Sequence, residues 1–255
     1  MNGPLGAFRL TENDARHLGG EFSAGRVGFA PSLPISIQAY LAWSFHDTWH
    51  KPIIWVVDTT RNLDLLAQDL AALGGPRAHL VSCFPALEIL PGAAPRSGQR
   101  MDVLGDRLTT LQNCARTGGP AIIATCIQAL VQPTPSPAWL ERHSMQLEVS
   151  READPDALVR TLAESGYRFE AEVQEKGQAS LRGGLLDVWP PTHPWPFRLE
   201  FFGPVLDSIR TFDPADQRSL EHLNAVTLAP AAEEENPEPA GFLSYLPANA
   251  LFAWL

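Results

Sequence analysis

Two short runs constrain this chain more than any other feature: Pro52–Val57 (PIIWVV) and Pro120–Thr125 (PAIIAT). The first is apolar throughout and the second up to Thr125, and neither alternates with polar positions. A strand of that kind offers no face to water, so it belongs in a sheet covered on both sides. The segments around them carry helical spacing. Ile35–Phe45 places Ile37, Tyr40, Leu41 and Trp43 as apolar positions. Asn62–Leu73 repeats Leu63, Leu65, Leu66, Leu70 and Leu73, then stops at Gly74-Gly75. Arg100–Arg116 repeats Val103, Leu104, Leu108 and Leu111. Short strands are predicted at Arg26–Ala30 and His79–Cys83. This β-α-β-α order predicts a parallel sheet under helices.

The pattern changes at Pro133, Pro135 and Pro137, which mark a connector. Gln146–Ser150 is a strand candidate. Asp154 is a predicted N-cap, with Pro155 at the first helical position and a helix running through Leu158 and Leu162 to Gly166. Strands are then predicted at Ala171–Glu175, Gly184–Trp189, Phe197–Phe202, Asp207–Phe212 and Ala225–Leu228. These make an α+β unit built on antiparallel pairs. Ala231–Ala240 is acidic and proline-containing, a solvated linker. Ala250–Leu255 is predicted as a buried strand with nothing after it, the pattern expected of a fragment of a longer protein.

Several function classes are disfavoured. A formal net charge of −10 opposes autonomous gripping of nucleic acid by its phosphates. No apolar run is long enough to cross a membrane, and the N-terminus has no basic start and apolar core of a signal peptide, so a cytoplasmic location is expected. Cys83, Cys114 and Cys126 lack CxxC spacing and are expected as reduced buried thiols; no metal site is predicted. A phosphate-binding loop needs GxxxxGK[ST]. At the first strand-helix turn Gly28 is present, but Leu33, Pro34 and Ile35 stand where glycine, lysine and Ser/Thr are required. Proline removes a backbone donor as well as the charge, so no nucleotide cofactor is expected. There is no HExxH and no GxSxG. Asp58 is expected to cap the helix after it.

The meander from Arg182 to Leu220 remains. In Phe197–Phe202 (FRLEFF) side chains alternate faces. Phe197, Leu199 and Phe201 point to the core; Arg198, Glu200 and Phe202 point away. An aromatic and an arginine on one solvent-facing side are what binding hot spots are made of. The other reading is a second apolar layer over Phe202, with the arginines in surface ion pairs. The facing of Arg182, just before Gly183-Gly184, is not assigned by alternation. Trp189 and Trp195 flank a Pro190-Pro191 turn.

Nearly the whole chain, in order, resembles the amino-terminal UvrB-homology module of bacterial transcription-repair coupling factors (the Mfd family), and more distantly the excision-repair helicase UvrB. The residues that carry this are the degenerate loop at Gly28–Ile35, the PIIWVV strand, DTTRNLDLLAQDL, FPALEILP at 84–91, LSYLPANAL near the end, and above all RGGLLDVWPP, FRLEFFG and DSIRTFDPADQRSL. Departures favour Mfd: the loop is not intact, and the tyrosine-rich hairpin that UvrB carries after Phe84 is replaced by LPGAAPRSG.

The resemblance implies a degenerate helicase-like α/β parallel-sheet domain at 1–138. An inserted α+β antiparallel UvrA-interaction domain follows at 139–229, then an acidic linker and return strand at 230–255. It implies a non-catalytic module that recruits UvrA to stalled RNA polymerase in nucleotide excision repair and packs on the remainder of its parent. RNA polymerase and DNA would be reached only through the parent's other domains, and the parent would be an ATP-dependent DNA translocase. Matched to the family motifs, the UvrA-contacting residues fall on Arg182, Arg198 and Phe202. The alternative is a UvrB-like nucleotide- or DNA-binding helicase fragment.

Overall fold

A computed structural model describes residues 33–87, 98–116, 118–232 and 239–254. The strand expected at Arg26–Ala30, Gly28 of the degenerate loop, the LPGAAPRS stretch and the acidic run Glu233–Glu238 lie outside the described residues.

Along the chain the elements are α1 (Ile35–Trp49), β1 (Ile53–Val57), α2 (Thr60–Gly74), β2 (Val81–Phe84), α3 (Gly98–Ala115), β3 (Ile122–Cys126) and α4 (Ile127–Val131). There follow β4 (Pro133–Pro135), α5 (Pro137–His143), β5 (Met145–Glu148), α6 (Pro155–Glu164), β6 (Arg168–Phe169), β7 (Gln178–Arg182) and β8 (Leu185–Val188). The last are β9 (Phe197–Phe202), β10 (Val205–Phe212), β11 (Ser219–Leu223), β12 (Ala225–Leu228), β13 (Pro239–Gly241) and β14 (Leu251–Trp254).

Contacts divide the described chain into two units. The first takes its residues from Met1–Ala86, Asn113–Val131 and Leu246–Leu255. Its sheet has the order β14-β1-β3-β2 and is parallel throughout. Every residue of β1 and β3 is buried, as unbroken apolar strands require. The strand expected at the end of the chain forms as β14 and pairs with β1, Ile53 lying opposite Leu251.

Helix α1 buries Trp43, as expected, but not Ile37. Gln38, Ala39, Ala42, Trp43 and Phe45 point inward, while Ile37 is 45% exposed. Gln38 is tolerated there because both ends of its amide have a partner: Oε1 accepts from the Trp55 indole at 3.1 Å and Nε2 donates to Leu33 O at 2.8 Å. The cap of α2 is Thr59, not Asp58; Thr59 Oγ1 accepts from Asn62 N, and Asp58 instead accepts from the Asn62 side chain at 2.7 Å.

The second unit comprises the described residues of Leu87–Gln112 and Gln132–Tyr245. A six-stranded sheet runs β11-β10-β9-β8-β7-β6, antiparallel except for the β6–β7 pair. Its inner face packs Leu186, Val188, Phe197, Leu199 and Ile209 with Leu158 and Leu162 of α6. Asp154 caps α6 by accepting from Asp156 N, with Pro155 at the first position, as the sequence predicts.

Two expectations fail in this unit. The proline connector is structured: β4 pairs with β13 through Thr134 and Ala240, and Ser136 caps α5. Proline tolerates such an edge pair because the bonding falls to the residue between. No strand forms at Ala171–Glu175; β6 and β7 flank an irregular loop there.

Tyr167 is a polar anchor of this core. It is 4% exposed, and its hydroxyl donates to Ala229 O at 2.6 Å; burial pushes its pKa far up, so it stays a neutral donor. Tyr167→Phe is expected to cost about 1–1.5 kcal/mol by stranding that carbonyl, measured as a lower denaturant midpoint with unchanged slope.

Candidate protein-binding surface

The outward face of the six-stranded sheet is built by register. Ser180, Asp187, Arg198, Arg210 and His222 lie opposite one another across β7 to β11, and Arg182, Leu185, Glu200 and Ser208 form the adjacent row. Leu186 and Val188 flank Asp187 and point to the core, so alternation forces the carboxylate outward.

This face brings two of the sequence-predicted residues onto one carboxylate. Arg198 grips Asp187 with two bonds, Nε to Oδ1 at 2.7 Å and Nη2 to Oδ2 at 2.8 Å. Arg182 Nη2 donates to the same Oδ2 at 2.8 Å. The Asp187 side chain is 2% exposed and that of Arg198 12%. Such paired, charge-assisted bonds fix orientation as well as position.

Arg198 is further held by Gln217, whose Oε1 accepts from Nη2 at 2.7 Å, and its guanidinium lies 4.2 Å from the Phe212 ring centre. Gln217 adopts φ 63°, a left-handed conformation uncommon for a residue with a side chain. The bonds to Asp187 push Arg198 further above the ordinary guanidinium range, against burial, which pulls the other way. Arg198 Nη1 has no partner among the described residues. Beside this group Glu200 accepts from Ser208 and from both Arg210 terminal nitrogens; Ser208 first, then Arg210, hold its carboxyl below the usual range.

Phe202 stands apart from the polar network. It is 85% exposed, the most exposed large apolar side chain among the described residues. It ends β9, paired with Val205 across Gly203-Pro204. Gly203 has φ +60° and proline supplies the fixed negative φ after it, a two-residue hairpin of the II′ kind. Arg182 likewise ends β7, before Gly183 at φ +61°. Both turns lie at the same end of the sheet. Four residues separate Arg198 from Phe202 on one face, roughly 13 Å along the strand.

Sequence reasoning missed Asp187, Gln217 and Phe212. Asp187 was within reach, since the apolar Leu186 and Val188 on either side of it mark the core face. Of the degenerate loop, Leu33, Pro34 and Ile35 are described: Pro34 precedes α1 with φ −53° and ψ 144°, and its carbonyl accepts from Ile37 and Gln38. Among the described residues no group of His, Cys, Asp or Glu is arranged to hold a metal ion, and no helix is long and apolar enough to cross a membrane. Of the thiols, Cys126 is buried and Cys83 and Cys114 are half-buried; burial pushes Cys114 up to about 11, away from the reactive thiolate.

A family model described as the UvrB interaction domain matches residues 145–233, a span that contains Arg182, Asp187, Arg198 and Phe202. The chain is similar to the transcription-repair-coupling factor of Myxococcus xanthus, 31% identical over 219 residues, or 84% of this chain and 18% of that protein. It is similar to that of Bacillus subtilis, 31% identical over 189 residues, 72% of this chain and 15% of the relative. To that of Escherichia coli it is 34% identical over 132 residues, 52% and 11% of the two chains. The chain therefore spans less than a fifth of the length of these curated relatives.

Proposed function

We propose that this chain, a relative of the transcription-repair-coupling factors that carries a UvrB interaction domain at residues 145–233, is a non-catalytic module that recruits UvrA in transcription-coupled nucleotide excision repair. Phe202 anchors in an apolar pocket of UvrA, and Arg182 and Arg198 meet UvrA carboxylates. The observation that carries this is an aromatic 85% exposed at one end of a face that also bears the Arg182 and Arg198 guanidiniums. Hot spots combine these residue types because each couples large contact area with directional bonds.

In this proposal 1–138 is a helicase-like domain that has lost its nucleotide loop, 139–229 is the UvrA-interaction domain, and 230–255 is an acidic linker with a return strand to the first domain. The longer parent is a cytoplasmic ATP-dependent DNA translocase, with its RNA-polymerase and DNA contacts elsewhere, and it covers the UvrA surface until its motor engages. Co-elution of the chain with purified UvrA tests the core of this; separate elution at micromolar concentrations of both contradicts it.

A nucleotide-binding helicase fragment is the competing reading, favoured by the parallel sheet of the first unit. Pro34 argues against it, because a phosphate cradle needs a backbone N–H that proline lacks. Saturating Mg-ATP is expected to leave the melting temperature unchanged; a ligand at one hundred times its Kd would add about 2.7 kcal/mol and raise it visibly. Leu33→Ala and Pro34→Ala should leave UvrA binding as in the parent chain.

A further inference from the structure

Arg182 is held by two carboxylates of unlike character. Asp187, with a side chain 2% exposed, takes Nη2 at 2.8 Å. Glu172, 57% exposed, stands 3.5 Å from Nη1. The first is a short charge-assisted bond; the second is a long contact in solvent, of the kind that contributes little to stability.

Charge counting gives the second contact its meaning. Asp187 brings one negative charge to two guanidiniums and already accepts three of their N–H groups. Glu200 is engaged by Ser208 and Arg210. Among the described residues, Glu172 is the one further carboxylate within ion-pair distance of Arg182 or Arg198.

The loop that carries Glu172 is not free to wander. Ser180 Oγ donates to Ala171 O at 2.9 Å, Val173 is 1% exposed, and Gln178 Oε1 accepts from Gln174 N and Glu175 N at 2.8 and 3.0 Å. The backbone on both sides of Glu172 is pinned, while its side chain is 57% exposed and makes one long contact. That arrangement places a carboxylate at the outer edge of the arginine pair without fastening it.

We infer that Glu172 is an internal stand-in for a carboxylate of a protein partner: it neutralises Arg182 in the free chain and moves aside when an acidic partner surface docks. Asp187 is then the permanent counter-charge and a positioning residue, and Glu172 the exchangeable one. The inference rests on the recruitment reading above and adds a competing group within the same site. An exposed pair of this kind sets a weak brake, so its removal acts on affinity more than on fold.

The test is titration of purified UvrA with the wild-type chain, Glu172→Gln and Glu170→Gln. The last removes an exposed charge two residues away that is not paired with Arg182. Glu172→Gln is expected to bind about threefold to fivefold more tightly, the effect of one exposed ion pair, with Glu170→Gln close to wild type. In the free chain Glu172→Gln should also shift the Arg182 side-chain Nε–H resonance and leave that of Arg198 in place. Equal or weaker binding by Glu172→Gln beside a binding wild type overturns this inference alone. Equal tightening by both variants overturns it too, because general charge would then explain the effect. Absence of wild-type binding defeats the recruitment reading and this inference with it.

Discussion

Phe202→Ala is expected to weaken binding of the chain to UvrA by about thirtyfold or more, on the order of 2 kcal/mol, while leaving the melting temperature where it was. The two halves of that expectation come from the same fact. A side chain 85% exposed in the free chain buries little surface on folding, so its removal costs the fold almost nothing. The backbone that presents it is set by the Gly203-Pro204 turn, which the substitution does not touch. Under the recruitment proposal the ring contributes to a partner instead. Calorimetric affinities and melting curves of the same two preparations check both halves. A lower melting temperature would mean that Phe202 covers an apolar layer of its own chain.

Arg198→Ala is expected to lose UvrA binding to a similar or greater extent and, unlike Phe202→Ala, to destabilise the second unit. Asp187 is almost fully buried and would keep only the Arg182 bond. Breaking one side of a buried pair typically costs about 3–5 kcal/mol; with Arg182 still in place, about 2–3 kcal/mol is expected here. The two effects separate in the double variant Asp187→Asn/Arg198→Gln. It removes both charges while keeping polar groups of similar shape, so most of the stability should return. Binding should remain lost, because the guanidinium is absent. Recovery of binding together with stability would show that Arg198 serves the fold and meets no partner group.

Much of this surface was legible in the sequence, and the parts that were not share a cause. The facing of Phe197–Phe202 follows from strict alternation, and β9 has the predicted bounds. Arg182 could not be placed before two glycines, yet cross-strand register seats it on the Asp187 carboxylate. Gln217 and Glu172 lie in loops, where no period exists to read. The segment at Ala171–Glu175 alternates like a strand, but alternation describes a half-buried surface and not a bonding partner. Only Val173 is buried there, and the chain pairs on either side instead. In α1 apolar residues occur all round the helix, so spacing alone does not select the buried face, which includes Gln38 with its amide serving the Trp55 indole.

In the first unit the strands β1 and β3 were recognised because no polar alternation divides them into two faces, and their parallel pairing followed. The cap of α2 shifted by one residue, from Asp58 to Thr59, since either side chain can cap and only the backbone angles decide.

The most direct measurement is calorimetric titration of purified UvrA with this chain, wild type beside Phe202→Ala. Saturable binding by the wild type, weakened about thirtyfold or more in a variant that melts at the same temperature, is the predicted result. No heat of binding from the wild type, or equal affinity from the two, would contradict the claim that this face of the sheet is a UvrA-binding surface.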